Sequence, residues 1–269
     1  MKEFTKHLRL MGLFTKRYIM SQMEYRTSFF TILIVESLIL FSKLLYTVVV
    51  YNTDMIVDGL KPEAITMFTG TFFIISAVYG ALFMFNFTNL QNSVYDGSLD
   101  IAITKPISLQ FYLTVSTIDL AVPIPNFIAG VIMVSNAWKT LQLSTEPFII
   151  AGYVFYIILG VVMLYSILLL PPLLSFWFVK SEGISQIVSG LSNFNMMPMA
   201  IYPKALKFFG TFIIPIFIVS NFPPSVCSGK AEYWNTNMGD SSTYFIFWEE
   251  RESFLKKRFE NIVVLQINM

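Results

Sequence analysis

Residues 29–50 read FFTILIVESLILFSKLLYTVVV, an apolar run long enough to cross a lipid bilayer, and the chain holds several more of the same kind. A spanning helix needs about 20 apolar residues. Residues 66–87, TMFTGTFFIISAVYGALFMFNF, make a second span, with Gly70, Ser76, Gly80 and Ala81 as small residues for close helix contact. A third is expected over 110–134, kinked rather than broken by Pro123 and Pro125, because neighbouring helices can re-satisfy the backbone groups that proline frees. A fourth runs over 148–176, long enough to tilt. Beyond it the pattern divides. Residues 183–200 read as a packed fifth span followed by a re-entrant segment at 208–220; alternatively a cytoplasmic loop precedes a single span at 205–221.

Composition agrees with a membrane chain. Only 13% of the 269 residues are charged, against about 25% in soluble domains. The expected fold is therefore all-α, a polytopic transmembrane helical bundle. Orientation follows the basic residues near span ends. Lys2, Lys6, Arg9, Lys16, Arg17 and Arg26 precede the first span, which puts the N-terminus in the cytoplasm, while Asp54, Asp58 and Glu63 outnumber Lys61 in the next loop. Within the leader, Phe4, Leu8, Met11, Phe14 (or Thr15) and Tyr18 recur at helical spacing opposite Lys6, Arg9, Lys16 and Arg17. That pattern reads as an interfacial helix over about residues 4–20, or as a plain basic anchor that sets topology.

Three charges fall inside apolar runs: Glu36 and Lys43 in the first, Asp119 in the third. Each costs about 2.5–3.5 kcal/mol at the bilayer centre on insertion scales, so each must face protein or water. Glu36 and Lys43 lie two helical turns apart, too far for a direct pair, and Asp119 is a candidate partner for Lys43. The trio reads as a polar lining of a transport path, as a subunit contact, or as packing pairs.

The chain carries no chemistry of its own. It has no GxxxxGK[ST], GxSxG or HExxH. One histidine, His7, and one cysteine, Cys227, leave neither a nucleophile pair nor a metal cluster nor a disulfide. A net charge of +1 offers no basic face to nucleic acid. Catalytic residues, bound metal and a cofactor of its own are not expected.

Three stretches carry a family resemblance. MEYR stands at 23–26, before the first span. GSLDIAITKPIS at 97–108 contributes Gly97, Leu99, Asp100, Lys105, Pro106 and Ile107. The late segment 197–224 contributes Tyr202, Pro203, Pro215, Pro223 and Pro224. With the span layout, residues 1–224 resemble the permease subunits of ABC transporters of the type-2 (export) superfamily, in the bacterial branch that works with a separately encoded ATPase. The resemblance implies six spans in an intact member. It also implies a second permease, identical or sister, and two ATPase subunits that bind the ATP and dock on the cytoplasmic face. The loop between spans two and three, with the N-terminal helix, would meet them. Its residues suit that role. Asp96, Asp100 and Lys105 offer ionic contacts, Leu99 and Ile101 a hydrophobic key, and Pro106 fixes the start of span three. A polar turn that only reverses the chain is the bland alternative.

After Pro224 the resemblance fails. Residues 225–269 are polar and have no usable period. Back-translated with a one-nucleotide offset, the codons of Tyr233 to Trp248 permit a continuous apolar string, which would restore a sixth span; the coding DNA decides whether the tail is frame-shifted.

Three functions compete. The first is an ABC export permease in the cytoplasmic membrane, moving an amphipathic substrate with energy from a partner ATPase. The second is a secondary transporter with Glu36, Lys43 and Asp119 as an ion relay. The third is a non-transporting scaffold or immunity-type subunit.

Overall fold

The computed structural model describes residues 2–52, 62–105, 107–119, 123–177, 182–192, 194, 199, 202–213 and 216–227. Pro106, Pro215 and the tail beyond Cys227 lie outside the described residues. Residues Met1–Cys227 form one compact unit, and its regular elements are helices among the described residues.

Helix α1 (Lys2–Glu24) leads through Tyr25 into α2 (Arg26–Asn52). Then comes one long rod, made of α3 (Pro62–Tyr79), a π-helical turn (Gly80–Met84) and α4 (Phe85–Asp96). Among the described residues, three helices are long and apolar enough to cross a membrane: Arg26–Val49, Pro62–Asp96 and Pro147–Leu174. They correspond to the first, second and fourth expected spans.

Helix α3 is the centre of the bundle. Pro62 opens it, where a missing N–H costs nothing, and Ile65, Met67, Phe68, Phe72, Phe73 and Ile75 are all buried. It packs on α7 (Pro123–Thr140), α8 (Pro147–Leu174), α11 (Ile216–Cys227) and α2. The α3–α7 crossing is closest at Gly70 and Gly130. A Cβ on Gly130 would meet the Gly70 carbonyl at 2.7 Å, so neither position has room for a side chain. Gly80, by contrast, has open space around it and mediates no such approach. Helix α2 turns one stripe inward, with Leu40 and Leu44 against Phe72, Phe73 and Met133. Phe30, Ile34, Leu38, Phe41 and Leu45 face outward.

Two expectations are corrected. The third span is broken, not kinked: α6 (Leu109–Val115) stops, residues 116–119 are non-helical, and α7 starts at Pro123. Pro123 and Pro125 remove two closely spaced helix donors, and their rings crowd the carbonyls four residues back, so the helix does not run through. Among the described residues, the expected fifth span at 183–200 supplies only a short helix. Helix α9 (Glu182–Ser192) has 11 residues, about 16 Å at 1.5 Å per residue, roughly half the hydrocarbon thickness. The apolar stretch after it enters the core instead. Following α10 (Lys204–Phe208) and a second π-helical turn (Phe209–Ile213), α11 packs on α8 and α3 with Phe217, Val219 and Asn221 buried.

Candidate functional site

The long rod ends at Gly97, whose φ of +76° is the left-handed conformation that glycine adopts without strain. Asp96 closes the turn, its Oδ1 accepting the Ser98 N–H at 2.9 Å. The Ser98 hydroxyl and N–H together hold the Asp96 carboxyl below its ordinary range. The short helix α5 (Leu99–Ile103) follows and is two-sided. Leu99 and Ala102 are buried, while Asp100 is exposed and Tyr95 and Ile101 are 66% and 67% exposed. The pair expected to act as a hydrophobic key is thus divided: Leu99 anchors the loop from within and Ile101 is presented. Lys105 is engaged inside the chain, its Nζ 3.7 Å from the centre of the Tyr112 ring.

Helix α6 then reaches the break, which is stitched to the rod at its π-helical turn. Asn86, 1% exposed, uses its whole amide. Nδ2 donates to the Leu82 and Thr117 carbonyls at 2.8 and 2.7 Å, and Oδ1 accepts from Thr117 N–H and Ser116 Oγ at 2.9 and 3.0 Å. The Asp119 N–H donates to the Ala81 carbonyl at 3.0 Å. A π-helical turn displaces the normal ladder, and the broken segment takes up a carbonyl there.

The N-terminal helix closes the cluster. Gln22 Nε2 donates to Asp119 Oδ1 at 2.8 Å. The Phe14 ring meets Tyr112 edge-on at 6.2 Å and Tyr18 meets Phe85 at 6.4 Å. Burial raises the Tyr18 phenol pKa, the Asp119 charge adds to it, and the Gln22 hydrogen bond partly offsets both. Helix α1, the loop and α6 are thus joined by direct contacts to one another and to the rod at its π-helical turn.

The family model described as ABC-2 family transporter protein matches residues 37–249. The chain belongs to the ABC-2 transporter family. No curated protein and no solved structure matches it. Family membership makes this chain a membrane transport component, a permease of an ABC-type transporter.

The remaining candidate residues of the ABC-2 chain lie apart from this cluster. Glu36 and Lys43 are half-buried on the inward stripe of α2 with Leu40, Leu44 and Thr47. The Lys43–Asp119 pair is corrected: no ion pair joins them among the described residues. Lys43 is 17 residues into α2, about 25 Å along the helix from Arg26, whereas Asp119 is tied to Gln22, just before α2 begins. Tyr202 donates its hydroxyl to the Phe194 carbonyl at 3.0 Å and packs on Phe217, and Pro203 precedes α10. Motif reading passes over Gln22, Asn86 and Tyr112. Gln22 continues the helical face of Phe14 and Tyr18, and Asn86 is an amide at the end of an apolar run; both signals are legible once the spacing is followed.

Proposed function

We propose that this chain is the export permease subunit of an ABC transporter in the cytoplasmic membrane, moving an amphipathic substrate with energy from ATP hydrolysed by a partner subunit. The observation that carries the reading is the construction of segment 94–109. Leu99 and Ala102 root α5 in the body, while Asp100 and Ile101 of α5 and Tyr95 at the end of α4 are exposed. A loop that only reverses the chain has no use for two large exposed side chains on a buried root. In this reading two ATPase subunits serve two permeases, identical or sister. The ATPase grips α5, and the Lys105–Tyr112 and Gln22–Asp119 contacts carry the movement to the break before α7.

The test is capture of the full chain from detergent-solubilised membranes, with mass spectrometry of what accompanies it. An ABC ATPase is expected with the natural chain, and less of it with Ile101→Asp at equal expression. Gly97→Pro with Asp100→Lys is expected to uncouple transport without stopping membrane insertion. Capture that holds no ATPase, or that ignores Ile101→Asp, sinks the docking assignment.

A further inference from the structure

Helix α1 has two faces of opposite character. Met11, Phe14, Thr15, Tyr18 and Gln22 are partly buried on the side that meets Tyr112, Phe85 and Asp119. The other side presents Arg9, Leu13, Lys16, Arg17 and Met20, all exposed, with Leu13 at 54% and Met20 at 63%. At 100° per residue these five fall within a single arc almost opposite the first set.

We propose that this outer face of α1 is a docking surface for anionic phospholipid headgroups of the cytoplasmic leaflet. Three features select that occupant. The helix passes into the membrane span α2 after one residue, Tyr25, which brings its C-terminal end to the membrane boundary. Its exposed arc holds three cations and no acid between Arg9 and Met20, which matches an anionic surface in sign. The cations are interleaved with Leu13 and Met20, large apolar side chains that can enter the acyl boundary while the basic stems snorkel. A face meant for water has no use for Leu13 and Met20, and a protein groove does not call for unbroken positive charge. Because the same helix holds Asp119 through Gln22, lipid on the outer face steadies the anchor of the broken span.

The test needs neither substrate nor ATPase, so it stands apart from the export reading. The full chain with Cys227→Ser and Leu13→Cys is labelled with an environment-sensitive fluorophore and placed in nanodiscs. One set contains phosphatidylcholine alone, the other a mixture with phosphatidylglycerol. Blue-shifted emission and several-fold slower quenching by neutral acrylamide are expected only with phosphatidylglycerol. High salt is expected to reverse the effect, because it screens exposed charges, and so is the combination Arg9→Gln, Lys16→Gln and Arg17→Gln. Equal protection in both lipids overturns the preference for anionic headgroups. Equal exposure in both overturns lipid docking. The lipid comparison uses the chain with its cations intact, so it decides the matter even where the triple variant folds poorly.

Discussion

At the level of single residues, the polar groups with most influence are amides rather than charges. Asn86 satisfies four groups around the break, two of them on Thr117. Asn86→Ala leaves buried backbone groups unpaired, at about 1–3 kcal/mol each. The expected result is a clear drop in thermal unfolding temperature in detergent, larger than for Gln22→Ala, which removes one hydrogen bond from Asp119. Asp96 makes a pH prediction. Its folded pKa lies below the ordinary carboxylate value of 3.8 because the Ser98 hydrogen bonds favour the carboxylate. The unfolded chain therefore takes up the proton first as pH falls. The cap's contribution is fully present above the ordinary carboxylate value and disappears as pH drops through the lower folded value. Side-chain carboxyl NMR, assigned with Asp96→Asn, is expected to place the Asp96 midpoint below 3.8; a midpoint at or above that value contradicts the cap.

At the level of elements, the α3–α7 crossing leaves no room for a side chain at its glycines. Gly130→Leu places a side chain against the Gly70 carbonyl and Ile74. Overpacking of this kind costs about 1–3 kcal/mol, and the variant is expected to lose stability in detergent. Gly80→Ala, with open space around it, is expected to lose none. Much of this level was readable in advance. The runs at 29–50, 66–87 and 148–176 correspond to α2, to the rod from Pro62 and to α8, because apolar length and bilayer thickness are directly related. The third run misled because hydropathy counts Pro123 and Pro125 as mild interruptions, while their real effect is on backbone hydrogen bonds. The weak segments at 183–200 and 208–220 were less legible because hydropathy does not show which of two short stretches finds a packing partner. Met199 and Asn221 decide that here: the Asn221 amide accepts the Met199 N–H at 2.9 Å and donates to the Phe217 carbonyl at 2.7 Å, locking α11 into the core.

At the level of the whole molecule, the outward surfaces of α2, α7 and α8 remain apolar. Phe30, Phe41, Phe127, Ile128, Phe155 and Ile158 are exposed. In water such surfaces would drive association, whereas a membrane component lays them against lipid. The export reading makes a further prediction at this scale. Extrusion of an amphipathic dye from cells is expected to survive a protonophore while ATP is maintained and to stop when ATP is depleted. The opposite result favours the ion relay of Glu36, Lys43 and Asp119. The amino-acid sequence by itself determined that the chain is a helical membrane protein with its principal spans, and that segment 94–109 is out of keeping with the greasy runs beside it. Those properties depend on local composition and length alone. Only the tertiary structure decided that Leu99 is a root and Ile101 a presented side chain, that Asp119 answers Gln22 instead of Lys43, and that Asn86 closes the break. Such pairings join residues up to 97 positions apart, and only the packing of the bundle brings them together.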